Sequence, residues 1–374
     1  MWQHNPFTQR LGLRYPLVQG PFGSGLSSIE LLVTVSEAGG LGSYGMQHLG
    51  PDQIRSLGAE LHARTRRPFN LNLWVSNHDA GGLALSRADF DAAVARFRPY
   101  YDALGIAPPE MPPRYGWRFE EPIEALLAVR PAVFSFVFGI PSSDVLAECR
   151  RSGIVTMGAV TTLDEALAMD EAGVDVIVAS GMEAGGHRVS FLRPAEDSLT
   201  GTFALVAQVT ARVKRPVIAA GGIVDGRGVA AALALGAQGA QIGTAFLACE
   251  ESGASALHRR MLFSEAARTT ALTRAFSGRL ARGIRNRFVD DWSSRSAEVL
   301  PYPIQGWFTA GLRKAAEAQD RPELMSLWAG QGAPLLRHRR AAELFSELLR
   351  EAEAAVSRSA QSCLSTSHRT GVEA

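Results

Sequence analysis

From Pro16 to about Leu247 the chain alternates two kinds of segment. Short apolar runs, rich in β-branched residues and bounded by glycine, are separated by longer stretches in which apolar positions return every three or four residues. The short runs predict strands at PLVQGP (16–21), GLGSYG (40–45), FNLNLWV (69–75), AVFSFVFG (132–139), IVTMGAV (154–160), VDVIVAS (174–180), PVIAAGG (216–222) and GAQIGTAFL (239–247). The segments between them, such as SSIELLVTVSEAG, TLDEALAMDEAG and GRGVAAALALGA, carry the helical period. The last two close on glycine, where a left-handed C-terminal residue is expected. Eight such units predict an α/β fold, a (βα)8 TIM barrel, with its functional groups at the carboxyl ends of the strands. A doubly wound open sheet is less favoured, because it would leave two strand edges to protect.

Two stretches exceed a minimal barrel. Between the third and fourth predicted strands, SNHDAGG to EEPIEALLAVR holds a helical run over 86–101 and the Pro-rich loop IAPPEMPPRYG, too long for an ordinary βα connection. After the eighth strand, residues 250–350 carry further helical segments and the arginine-rich LTRAFSGRLARGIRNRF. The division expected is a barrel over 10–75 and 120–250 and a small additional helical substrate or lid region over 76–119 and 251–310. C-terminal helices packing on the barrel are expected over 311–350, and a polar, Ser-rich disordered tail over 357–374.

Composition narrows the classes. Hydrophobic residues make up 46% and charged residues 20%, enough apolar surface for a large core and against wholesale disorder. Lys plus Arg total 38 against 37 Asp plus Glu, so the net charge of +1 gives no field to recruit nucleic acid or an anionic membrane. The arginine run from Arg274 to Arg287 reads as a solvated, salt-bridged lid face rather than a nucleic-acid patch. Cys149, Cys249 and Cys363 are odd in number and without a CxxC pair, which argues against a disulfide framework and a thiolate zinc site. With no signal-peptide pattern and no long apolar span, a cytoplasmic protein is expected.

The candidate chemistry sits at strand ends. PVIAAGGIVDGRG and GAQGAQIGTAFLA place Gly221, Gly222, Gly243 and Thr244 where barrels commonly hold phosphate: close backbone approach, amide donors and a hydroxyl form an anion cradle. SGMEAGGHRVSF, after the sixth strand, puts Glu183, His187 and Arg188 on a loop that Gly185 and Gly186 open to a flat ligand. His187 is the acid-base or hydrogen-bonding candidate, Glu183 a candidate or a mere cap, and the seven other histidines have no comparable context. QGPFG supplies Gln19 and the backbone of Gly20, Pro21 and Phe22 to the edge of a heterocycle. Asn70 and Asn72 share one face by period two, either as ligands or as an internal polar network. GPFGSGL has the wrong spacing for a dinucleotide fingerprint.

In order and spacing, LVQGPFGSG, SEAGGLGSYG, SGMEAGGH, AAGGIVDGRGVAAALALGAQGAQIGTAFLACEES and TRAFSGRLARGIRNRF resemble the nitronate monooxygenase family, once called 2-nitropropane dioxygenase, over most of residues 10–335. The resemblance implies an FMN barrel with a small substrate domain, oxidising alkyl nitronates with dioxygen. It implies that His187 faces the substrate, and that Trp328 and Gln331 of LWAGQ lie near the mouth. With the readings above it gives the FMN-binding set Gln19, Gly20, Pro21, Phe22, Asn72, Ser180, Ala184, Gly185, Gly186, Gly221, Gly222, Gln241, Gly243 and Thr244. The chain departs from the family at Ser180, where Gln is frequent, and at Phe22, where Met is frequent. Its only lysines are Lys214 and Lys314, and Lys214 precedes the seventh strand, so amides, helix dipoles or an arginine are left to steady a reduced flavin. Small-molecule nitronate and dioxygen are the expected partners, with a homo-oligomer left open and no nucleic acid or membrane. The alternatives are an FMN-dependent enoyl thioester reductase using NAD(P)H and a flavin-free isomerase of a phosphorylated metabolite.

Overall fold

A computed structural model describes residues 2–75 and 84–367. Among the described residues, parallel strands run β1 (Leu17–Gln19), β2 (Gly42–Gly45), β3 (Phe69–Trp74), β4 (Val133–Val137), β5 (Val155–Val160), β6 (Val176–Ser180), β7 (Val217–Ala220) and β8 (Gly239–Ile242). Each pairs with the next from β2 to β8, and β8 pairs back to β1. The ring closes where the Leu41 N–H donates to Leu17 C=O at 2.9 Å and the Gln19 N–H donates to Leu41 C=O at 3.0 Å. This is the expected (βα)8 barrel.

The strand sequences read as continuous apolar runs because both faces are covered. Val133, Met157, Val178 and Ile218 point inward, and the bottom is plugged by Phe7 and Leu11 of the helix Pro6–Leu11. Alternate residues such as Leu71, Phe134, Phe136 and Ile177 point outward to the helices. The inward face of β3 breaks the rule with Asn70 and Asn72, both buried. Asn70 Nδ2 donates to Ser43 Oγ at 3.0 Å and Asn72 Nδ2 to Ser135 Oγ at 2.9 Å, so each amide nitrogen has a partner, while Asn70 Oδ1 is left buried without one. Helix starts are capped by side chains at Ser28, Ser142, Thr162 and Asp225, each accepting a first-turn N–H.

The eighth strand ends sooner than its sequence suggests. Residues 244–247, expected as strand, form the short helix Thr244–Leu247, because an apolar run of that length fits either period and tertiary context decides.

A second hydrophobic cluster gathers the helices Arg87–Leu104, Arg287–Ser293 and Ile304–Ala318. Phe97 stacks on Phe308 at 5.5 Å and on Trp292 at 5.1 Å between ring centroids. The first part of the expected insertion, residues 76–83, lies outside the described residues. Residues 311–318 were expected on the barrel but join this cluster instead, since Leu312 and Ala316 continue the apolar stripe of Phe308. The helix Ala341–Ser367 does pack on the barrel: Phe345 meets Tyr15 edge-on at 5.9 Å, and Ala352 lies so close to Gly226 that a Cβ there would sit 2.3 Å from its amide nitrogen. This helix corrects the expected disordered tail over residues 357–367, and 368–374 lie outside the described residues.

One further element joins the two clusters. Gly186–His187, Thr270–Thr273 and Ala281–Ile284 form a small antiparallel sheet in which His187 is registered against Ala281. No described helix is long and apolar enough to cross a membrane.

Candidate active site

The carboxyl ends of the barrel strands open on a groove walled by Gly20, Pro21, Phe22, Asn72, Ser180, Ala184, Gly185, Gly186, His187, Gly221, Gly222, Gln241, Gly243 and Thr244. All but one of the expected FMN-binding set, together with His187, therefore line it. The exception within that set is Gln19, which is wholly buried one layer below: its Oε1 accepts the Ser43 N–H at 2.8 Å and its Nε2 donates to Gly20 C=O. It shapes the turn that presents Gly20 rather than the groove itself.

The glycines divide by role. Gly221 and Gly222 hold φ +110° and +71°, conformations an L side chain resists, so the turn after β7 depends on them. Gly243 holds φ −99° and ψ −80°, not left-handed but off the usual helical and extended regions, and a Cβ there would meet nothing nearer than a Phe22 ring carbon at 3.9 Å. Gly243 also starts the Thr244–Leu247 helix, whose first amides have no intrahelical acceptor. The Thr244 hydroxyl accepts the Gly330 N–H at 2.9 Å, which brings the Trp328–Gly332 segment over this corner.

Glu183 proves to be a cap. Its carboxylate accepts the Thr202 N–H at 3.0 and 2.9 Å and the Thr202 hydroxyl at 2.8 Å, fixing the start of the helix Thr202–Thr210. Arg188, 1% exposed, donates to Gly181 C=O at 2.6 Å and Ser180 C=O at 2.9 Å, so it braces the loop from behind. Burial, then Arg282, pulls its pKa down to about 10. Gln331 anchors the covering segment through its backbone, donating its N–H to Glu183 C=O at 2.9 Å.

His187 stands at the groove's rim among aromatic rings: Trp74 at 4.9 Å, Trp328 at 5.4 Å and Phe138 at 6.3 Å between centroids. Its Nε2 lies 2.8 Å from Ser277 Oγ, which leaves Nδ1 as the ring nitrogen open to a ligand. Burial pushes its pKa down to about 3, with Arg279, His48 and Arg313 adding repulsion, so the imidazole is neutral across the physiological range. Beside it the Arg279 guanidinium lies over Phe138 at 3.6 Å, Tyr302 at 4.3 Å and Trp74 at 5.2 Å. Phe138 itself holds φ +67°, a strained conformation for a bulky residue, at the end of β4 where it faces this cation.

Sequence reasoning missed several of these groups. Arg279 belonged to the run read as a solvated lid face, yet it points inward. His48, read as one of the histidines without context, lines the adjoining cavity and is lowered to about 4 by burial and then Arg313. The one available signal was position: His48 follows β2 and Trp74 ends β3, both at the working end of the barrel.

With this geometry in place, the chain can be compared with known proteins. A profile of the nitronate monooxygenase family matches residues 5–351. The chain is 43% identical over 352 residues to a nitronate monooxygenase of Paraburkholderia phytofirmans, covering 91% of this chain and 93% of that protein. It is 36% identical over 353 residues to a probable nitronate monooxygenase of Staphylococcus haemolyticus, covering 94% and 98%. Among solved structures, a nitroalkane oxidase from Streptomyces ansochromogenes superposes with a TM-score of 0.84 at 35% identity, covering 96% of this chain and 100% of that one. FabK from Thermotoga maritima gives 0.73 at 27%, covering 95% and 98%. The barrel, the glycine cradle and the histidine at its rim thus sit in a sequence that belongs to the nitronate monooxygenase family of flavin-dependent oxidoreductases.

Proposed function

We propose that this enzyme oxidises alkyl nitronates with dioxygen to a carbonyl compound and nitrite, using FMN held in the groove beside His187. The observation that carries this reading is the meeting of a glycine-walled cradle with a neutral imidazole and a guanidinium at one rim. The cradle fits the cofactor: Gly186 and Gly243 leave open space where any other residue would place a Cβ, so a flat ligand can lie against backbone. Gly221, Gly222, Gly243 and Thr244 would hold the phosphate, and Gly20, Pro21, Phe22, Asn72, Ser180, Ala184, Gly185 and Gln241 the ring and ribityl chain. Bound there, FMN would supply the acceptor for the nitronate's electrons and the donor for dioxygen.

The chain's own residues orient and desolvate. A nitronate is already an anion, and the Arg279 charge lowers the cost of placing it in a partly dry site. With Nε2 engaged by Ser277, His187 meets the substrate through Nδ1. If Ser277 donates to Nε2, Nδ1 carries the proton and hydrogen-bonds a nitronate oxygen. If Ser277 accepts from Nε2, Nδ1 is a lone pair able to take an α-proton. A pKa near 3 makes that base feeble, which favours the nitronate over the neutral nitroalkane as substrate.

The test is an absorbance spectrum of the purified protein, followed by anaerobic titration with propyl nitronate and, separately, with NADH and NADPH. A flavin spectrum that bleaches with the nitronate supports the reading. Bleaching by NAD(P)H alone favours the enoyl thioester reductase, and a colourless protein that takes up no FMN favours the isomerase.

A further inference from the structure

Beyond His187 the groove opens into a second cavity of about 580 Å³. The two spaces share Trp74, His187 and Trp328 as a common wall. This volume lies in the range of sites that enclose ligands of drug size, and a short alkyl nitronate at His187 would leave most of it unfilled.

One wall of the cavity is polar in a particular way. Arg313, on the helix Ile304–Ala318, donates from Nε to Thr309 C=O at 3.3 Å and from Nη1 to Ser326 Oγ at 3.1 Å. No described carboxylate lies within ion-pair distance of it. Glu317, one turn further along, lines the same cavity without reaching it. Other arginines of this part of the fold are paired: Arg285 with Asp290 at 2.6 Å, Arg295 with Glu298 at 2.7 Å, Arg321 with Glu323 at 2.8 Å. Arg313 is pulled down to about 10 by burial alone, with no neighbouring acid raising it. A buried charge without a counter-charge is costly, so such a group marks a place where a counter-charge arrives from outside. Tyr115 gives a second, independent sign. It lines the cavity, is 8% exposed, and its hydroxyl has no hydrogen-bond partner.

We propose that this cavity is a second compartment of the substrate site, taking an elongated apolar body whose far end carries an anion, a carboxylate or a phosphate, against Arg313 and Tyr115. The proposal rests on the nitronate reading only for the chemistry at the His187 end. Apolar walls such as Trp307 and Trp328 suit the body, and the guanidinium suits the terminal anion through charge-assisted hydrogen bonds.

The test reads binding rather than turnover. The tryptophans of the cavity wall report octanoate and octanamide by fluorescence, in the purified protein as isolated. Octanoate is expected to bind about tenfold tighter than octanamide, the difference a charged hydrogen-bonding partner makes. Arg313→Met should erase that preference, Arg313→Lys should keep part of it, and Tyr115→Phe, which leaves the cation in place, should weaken octanoate severalfold. Equal affinity for acid and amide, or a preference that survives Arg313→Met, overturns the proposal. An additional arm uses inorganic phosphate. If phosphate alone gives the Arg313-dependent response at lower concentration than octanoate, the anion arrives independently of the substrate's tail and the assignment fails. A protein that prefers octanoate yet oxidises no nitronate would instead overturn the proposed reaction and leave this compartment standing.

Discussion

His187 and Ser277 face each other across 2.8 Å, the imidazole from an outer strand of the small antiparallel sheet and the hydroxyl from the turn that joins the other outer strand, Thr270–Thr273, to the central one, Ala281–Ile284. Ser277 Oγ also lies 3.2 Å from Arg279 C=O and accepts the Arg279 N–H at 3.3 Å, its single proton going either to that carbonyl or to the imidazole, so one side chain ties the imidazole to the backbone that carries the guanidinium. Replacing Ser277 with Ala should lower kcat/KM for propyl nitronate by about tenfold, the worth of one orienting hydrogen bond, without loss of bound flavin. Steady-state kinetics on the flavin-loaded variant check this. An unchanged kcat/KM would mean that the pair does not position the ring.

His187→Asn keeps a hydrogen-bonding group but cannot act as a base. Nitronate turnover should fall modestly, and the slow turnover of the neutral nitroalkane should fall further, though by less than the roughly 10²-fold of a well-matched base, because a pKa near 3 lies far below the working pH. Oxygen-uptake rates on the two substrates decide it, and equal losses would leave His187 with no role in proton removal.

Gly243→Ala separates fold from cofactor. The φ of Gly243, −99°, is open to an L residue and the added methyl would meet nothing nearer than 3.9 Å, so the fold should persist, with the unusual ψ of −80° lowering the thermal midpoint by only about a few degrees. FMN affinity should nonetheless drop at least about tenfold, since the methyl occupies the surface on which the ligand lies. Equilibrium dialysis of FMN against wild type and variant makes the comparison.

Acid should destabilise the protein through its buried histidines. His258, 2% exposed with Nε2 3.0 Å from Trp328 C=O, is held down to about 4 from an ordinary 6.5, mainly by burial. Between these two values the unfolded chain binds more protons than the folded one, so stability rises with pH through that window, is complete above 6.5, and is lost as pH falls. At pH 5 the cost from His258 alone is about 2 kcal/mol. Urea unfolding at pH 7 and pH 5 should show a loss in the wild type that is smaller by this amount in His258→Gln. Equal losses in both proteins would place the acid sensitivity elsewhere.

Much of the barrel was legible in the sequence because each strand is buried on both faces and bounded by glycine, a pattern that local chemistry writes plainly. The cradle was legible for the same reason: Gly221, Gly222 and Gly243 sit at strand ends whose order the topology dictates. What escaped notice depends on residues distant in sequence. Nothing local distinguishes Arg279, caged by Phe138 and Tyr302, from its solvated neighbours in the same run, and nothing local tells that Arg313 lacks an acid although its own helix carries Glu317 one turn on. The Ala341–Ser367 helix outruns its sequence pattern for a related reason. Its polar composition resembles a tail, while Leu344, Phe345 and Leu348 commit its first turns to the barrel and the helix carries on from there.

The Gly186–His187 strand is registered against Ala281 and Arg282, so the imidazole is stitched to the cap that covers the barrel as much as to the barrel itself. Any outward swing of that cap would lift the ring away from the cradle, which makes admission of bulky cargo and disarming of the machinery a single movement.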